Sequence, residues 1–165
     1  MSKAPTATAD DGELVEIVEP PRLDHIFSVN LTLHDPIVFP SHSGTRAITR
    51  LAADKCTLKG PNGIEGKLMH GCDYINIGVD GSVHLDVHFV WEMDNGSKLY
   101  QKVQGISLRE PNDPTCSVIT SGSTFETMDE KYKYFNNVFL FGNGQKKGNE
   151  VTIHYYAPAP VPVQT

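Results

Sequence analysis

DYINIGVDGSVHLDVHFVWEMDNGSKLYQKVQG, residues 73–105, is the stretch whose reading decides the fold. Apolar and polar side chains alternate through it with a period of two, the signature of half-buried strands. Asp80-Gly81 and Asn95-Gly96 interrupt the alternation, and both dipeptides favour tight hairpin turns. Three consecutive antiparallel strands follow. Taking each dipeptide as a two-residue loop places Val79 opposite Ser82 and, counting outward, Asp73 opposite His88. The second loop sets Asp94 against Ser97, His88 against Val103 and Asp86 against Gly105.

The same period extends in both directions. Leu23, His25, Phe27, Val29, Leu31 and Leu33 fall on one side of a strand, and further runs occupy 46–59, 64–79, 83–93, 98–108, 117–126, 134–141 and 150–156. Pro61-Asn62-Gly63, the Pro111 to Pro114 segment and the Gly142 to Gly148 segment separate them, and only Thr127 to Lys133 leaves room for a helical turn. The pattern predicts an all-β chain of about eight antiparallel strands with short turns, which make either a single antiparallel β-barrel or a sandwich. Residues 1–22, rich in Ala, Thr and acids, read as a mobile acidic tail, 23–156 as the barrel domain and 157–165 as a Pro-rich tail.

Charge and cysteine usage exclude several classes. Fourteen Lys and Arg against 20 Asp and Glu give a net charge of -6, which disfavours nucleic acid and anionic membrane partners. No run approaches the length of a membrane-spanning helix, and the N-terminus lacks an apolar leader, so a cytoplasmic protein is expected. Cys56, Cys72 and Cys116 lack CxxC spacing and read as free thiols that pack as small side chains.

One derived face carries Asp73, Ile75, Ile77, His84, Asp86, His88, Val90, Glu92, Leu99, Gln101, Val103 and Gly105. Patterning alone would turn the other side, Leu85 to Met93, inward and leave the His-Asp side in water. The alternative is a half-apolar pocket, in which a desolvated carboxylate and an imidazole can exchange protons near neutral pH. On that reading Asp73 or Asp86 is the base and His88 the acid or relay, so the candidate catalytic set is Asp73, Asp86 and His88. Arg46, His84, Gln101, Tyr132 and Asn136 are candidate substrate-binding groups. A metal held by His84, Asp86 and His88 is the rival use of the same strand. There is no GxSxG, HExxH, GxGxxG after a strand, or P-loop, and no cofactor or metal is expected.

Several segments taken together resemble a known family. Gly60-Pro61, Gly66 to Tyr74, Asp80-Gly81, Leu85-Asp86, Asn95-Gly96, Leu99-Tyr100, Gly105, Phe125-Glu126-Thr127 and Tyr132 to Asn136 are similar, in order, to the small β-barrel family catalogued as domain of unknown function 3237. The resemblance spans about 23–156 and implies a single-domain barrel found in bacteria and in fungi, where relatives accompany natural-product pathways. Its Asp before an aromatic residue corresponds to Asp73 and its Leu-Asp pair to Leu85-Asp86. Lys55-Cys56, His70-Gly71-Cys72 and His88 depart from the family's usual Gly-Gly, Gly pair and Arg.

The expected function is a cofactor-independent tailoring enzyme acting on an apolar oxygenated small molecule by acid-base isomerisation, cyclisation or addition-elimination. The alternative is a non-catalytic carrier of a hydrophobic metabolite. With the His-Asp face inside, Leu85, Val87, Phe89, Trp91 and Tyr100 would lie outside, and a homodimer is expected to cover them.

Overall fold

In the computed structural model of the chain, residues 7–8, 14–15 and 20–159 are described. The short strands β1 (Ala7–Thr8) and β2 (Leu14–Val15) pair with each other. The other residues before Pro20, assigned above to an acidic tail, lie outside the described residues, as do residues 160–165 of the Pro-rich tail.

Ten strands make the body of the molecule: β3 (Leu23–Thr32), β4 (Ile37–Ser41), β5 (Gly44–Arg50), β6 (Thr57–Lys59), β7 (Glu65–Gly78), β8 (Val83–Met93), β9 (Lys98–Glu110), β10 (Asp113–Glu126), β11 (Leu140–Lys147) and β12 (Glu150–Pro158). The order β7-β6-β3-β12-β11-β10-β9-β8 returns to β7, closing an antiparallel barrel of eight strands. The β4–β5 hairpin continues the wall on the C-terminal half of β7, and Leu33 bridges to Leu51 where β5 passes β3. Closure removes the unpaired strand edges that an open sheet would expose.

Both hairpins depart from the expected register by one residue. Gly78 N–H donates to Ser82 O at 2.8 Å and Met93 N–H to Ser97 O at 2.9 Å, so each loop has three residues rather than two. The cause is local. The Asp80 carboxylate accepts from Ser82 N–H at 3.0 Å, and the Asn95 side-chain oxygen accepts from Ser97 N–H at 3.1 Å. These side-chain bonds two residues ahead favour a type I turn closed by a left-handed residue, here Gly81 (φ 83°) and Gly96 (φ 80°). Val87, not His88, therefore faces Asp73, and His88 faces Cys72 and Lys102. A one-residue slip reverses every side chain of the next strand. β8 consequently turns Leu85, Val87, Phe89 and Trp91 inward, whereas β9, displaced by two slips that cancel, keeps Leu99, Gln101 and Val103 inside.

Several strand boundaries also differ: β4 occupies a stretch where no run is expected, and β10 begins at Asp113 rather than 117. The run at 46–59 is two strands joined by a 3-10 turn at Ala53–Lys55, and the run at 134–141 is a 3-10 helix, Lys133–Asn137, followed by β11. β11 runs through the glycines read as a breaker: a Cβ at Gly142 would lie 2.7 Å from the Tyr155 ring, so glycine there permits close strand packing. β12 reaches Pro158, opposite Leu23, which extends the barrel slightly into the segment read as tail.

The Lys133–Asn137 helix closes one end. Phe135 is buried against Phe27 and Phe125, with ring centroids 5.9 Å and 5.0 Å away, and the buried Tyr132 ring lies 6.4 Å from that of Phe135. Below this plug Trp91 Nε1–H donates to Gln101 Oε1 at 2.9 Å and Gln101 Nε2–H to Ser123 Oγ at 2.9 Å, a buried chain of polar groups that satisfy one another. All three cysteines are buried and unbridged.

Candidate functional site

The opposite half of the barrel is hollow. A cavity of about 510 Å³ is walled by apolar side chains, chiefly Leu31, Ile75, Leu85, Val87, Phe89 and Ile153. Its rim is formed by His34, Asp35 and Pro36 after β3, Ser107 and Ser117 on β9 and β10, and Lys146 and Asn149 beside the β11–β12 turn. This volume is of the size that accommodates small organic molecules.

One carboxylate enters that wall. Asp73 on β7 faces inward between Thr49 of β5 and Val87 of β8, its partners in the two neighbouring strands. The β7–β8 pairing runs to Asp73–Val87 and resumes at Asn76–His84. Within that interval Asp86 N–H donates to Asp73 Oδ1 at 3.3 Å. Burial pushes the Asp73 carboxyl up to about 7, the Asp86 amide opposing the shift and the Asp86 carboxylate on the far side of the wall adding to it. A displacement of that size corresponds to about 4 kcal/mol against the charged form. Near neutral pH, Asp73 can therefore both hold and release a proton.

Tyr155 also lines the cavity. Tyr155 is fully buried, and its hydroxyl, like the neighbouring Ser121 hydroxyl, makes no hydrogen bond within the protein. Desolvation raises the Tyr155 phenol to about 12, although the Ser123, Ser121 and Gln101 side chains pull in the opposite direction. It is a neutral donor across the physiological range. Thr49, 3% exposed, adds a hydroxyl beside Asp73.

The other sequence-derived candidates lie elsewhere. His84, Asp86 and His88 project from the outside of β8, so the expected Asp73–His88 cross-strand pair does not form. His88 Nε2 lies 3.2 Å from Asp86 Oδ1, its Nδ1 bonds the Tyr100 hydroxyl, and both side chains are substantially exposed. His84 and His88 stand four residues apart on an extended strand, about 13 Å. Among the described residues no three His, Cys, Asp or Glu side chains converge as metal ligands would. Arg46 is on the same outer surface, bordering a shallow groove with Tyr74, Asn76, His84, Asp86 and Gln104.

Gln101 faces inward but spends its amide on Trp91 and Ser123 beneath the cavity. Tyr132 belongs to the plug, its hydroxyl donating to Asp94. Asn136 clamps the preceding loop, accepting from Thr127 N–H and donating to Thr127 O, each at 2.8 Å. The outward apolar row that motivated a dimer is inside, since Val87, Phe89 and Trp91 are core residues.

Thr49, Tyr155 and Lys146 line the cavity without any signal in the sequence that singles them out. They reach the cavity through β5–β7, β10–β11 and β11–β12 pairings. Alternation on each strand marks one side as inward, but no turn signal links β5 to β7 in register.

Known proteins agree with this architecture. The family described as "Protein of unknown function (DUF3237)" matches residues 21–157, and the chain belongs to it. The curated "Hydroalkoxylation enzyme phnH" of Penicillium herquei is 27% identical over 124 residues, 74% of each chain. Among solved structures, a protein of unknown function from Clostridium acetobutylicum is similar with a TM-score of 0.77 at 21% identity, over 87% of this chain and 100% of that one. A β-barrel-like protein from Acinetobacter baumannii aligns with a TM-score of 0.73 at 19% identity, over 86% and 98%. An enzyme from Penicillium herquei aligns with a TM-score of 0.64 at 21% identity, over 87% and 99%.

Proposed function

We propose that this member of the DUF3237 family is a tailoring enzyme of small-molecule biosynthesis that adds a hydroxyl group across a carbon–carbon double bond inside the barrel, with Asp73 as its acid and base. The observation that carries the reading is the Asp73 carboxyl, raised to about 7, set in the apolar wall below the polar rim of the cavity. The hydroalkoxylation activity named for the Penicillium herquei relative suggests the reaction class.

The chemistry balances without an external oxidant or reductant. Protonated Asp73 gives its proton to one carbon of an electron-rich alkene as the π bond breaks. The substrate hydroxyl forms a C–O bond to the other carbon, and the hydroxyl proton returns to the Asp73 carboxylate. Substrate and product are isomers when both groups belong to one molecule, and the carboxyl is restored. An apolar wall favours this sequence because it keeps Asp73 protonated and excludes water that would compete for the cation. Holding hydroxyl and alkene together supplies the proximity part of the barrier. The Thr49 hydroxyl, beside Asp73 in the cavity lining, can orient a substrate oxygen.

Asp73→Asn removes the exchangeable proton while keeping size and polarity. Turnover of alkenols to cyclic ethers, followed by mass-neutral product formation, should fall on the order of 10³-fold, with ligand binding retained. Undiminished turnover would overturn the assignment. Because the acid form is lost as pH rises through about 7, activity should decline on the alkaline side. The same apolar cavity suits a carrier, and a protein that binds alkenols tightly yet converts none would be that.

A further inference from the structure

We propose that the molecule entering this cavity is an amphiphile, with an apolar alkenyl arm directed to Asp73 and a separate, non-reacting anionic oxygen function held at the rim by Lys146. This deepens the functional reading above and rests on it for the identity of the reacting carbon.

Lys146 is an inward residue of the wall. It pairs with Ser117 of β10 and Val151 of β12, both of which line the cavity, whereas its neighbours Gln145 and Lys147 face out. A lysine at an inward position near a strand end lays its aliphatic stem along the wall and carries its ammonium to the mouth. Its ammonium donates to Gly148 O at 2.6 Å. Among the described residues no carboxylate lies within ion-pair distance of it, as is also true of Lys55, Lys67, Lys102 and Lys147, and what sets Lys146 apart is its place in the lining of the cavity. Asp35 shares the rim but makes no ion pair with it.

The surroundings of this ammonium suit an anionic oxygen. Ser107, Ser117, His34 and Asn149 border the same opening and can add hydrogen bonds, while the wall beneath is apolar as far as Asp73 and Thr49. A carboxylate or an acidic enol or phenol would meet a charge-assisted donor at the mouth, and its apolar remainder would fill the space below. The net charge of -6 repels anions from the surface in general, so selective capture requires a local cation of this kind.

Two dyes of matched ring system separate the terms. 8-Anilinonaphthalene-1-sulfonate carries an anionic oxygen group, and N-phenyl-1-naphthylamine is its neutral counterpart. Fluorescence titration of the full chain should show tighter binding of the sulfonate. Lys146→Met should weaken the sulfonate about tenfold and leave the neutral dye within twofold, and Lys147→Met, on the outer face, should change neither. A wild-type protein with no preference for the anion, or a Lys146→Met variant that keeps it, would overturn the proposal. Asp73→Asn should retain the dye preference. Loss of turnover without loss of that preference separates the two readings, since failure of the acid-base assignment would leave the Lys146 result standing.

Discussion

The two ends of this barrel are built from the same strands and the same alternation, yet one is solid and the other hollow. At the solid end Trp91, Phe27, Phe125, Tyr132 and Phe135 fill the lumen, and the buried polar chain Trp91–Gln101–Ser123 is internally satisfied. At the hollow end the inward positions carry mostly medium aliphatic side chains, no helix among the described residues covers the opening, and Asp73 and Tyr155 keep polar capacity. Inward-facing geometry alone therefore does not distinguish core from site. Side-chain volume and unspent hydrogen-bonding capacity do.

The largest structural consequence of the difference should appear at the plug. Phe135→Ala removes a fully buried ring from a close-packed cluster and should cost about 3–5 kcal/mol in denaturant-induced unfolding. A cost below 1 kcal/mol would mean that this end is as loosely filled as the other.

The site end should show the opposite sign. Asp73 has its folded pKa raised above its unfolded value, so its stability contribution is full below about 4 and is lost as pH rises through about 7. Asp73→Asn should accordingly stabilise the protein at pH 8 by up to about 4 kcal/mol, with little gain at pH 4. Chemical unfolding at both pH values checks this, and a destabilised variant at pH 8 would place the carboxylate in a structural role.

An intermediate effect is expected where the two regions meet. Gln101→Leu leaves the Trp91 N–H and the Ser123 hydroxyl without their partner and should cost about 1–3 kcal/mol. The smallest effect belongs outside the wall. His88→Ala removes a substantially exposed side chain and should change stability by less than about 1 kcal/mol, leaving the alkaline limb of the activity profile in place. Loss of that limb would restore His88 to the proton path and break the separation between outer and inner faces.

How far the site could be read in advance depended on individual hairpins. Asp73 was identified with its apolar neighbours Ile75 and Ile77, because alternation on β7 does not depend on its partner. His88 was set against it only by assuming two-residue turns. The Asp80 and Asn95 side chains, bonding two residues ahead, make three-residue loops instead, and one added residue exchanged the two faces of β8. β11 was obscured for a different reason: Gly142 and Gly144 resemble a loop by composition, but they sit where a neighbouring strand comes too close for a Cβ.

The linear sequence by itself determined the all-β class, the absence of catalytic signatures that need fixed local spacing, and the candidacy of Asp73. All of these rest on period, composition and short motifs, which are properties of adjacent residues. Which side of β8 meets Asp73, that Thr49, Tyr155 and Lys146 share its cavity, and that one end is plugged while the other is open were decided only by tertiary structure. Those features depend on register between strands distant in sequence and on the three-dimensional filling of a closed wall, where a shift of one residue reverses a face.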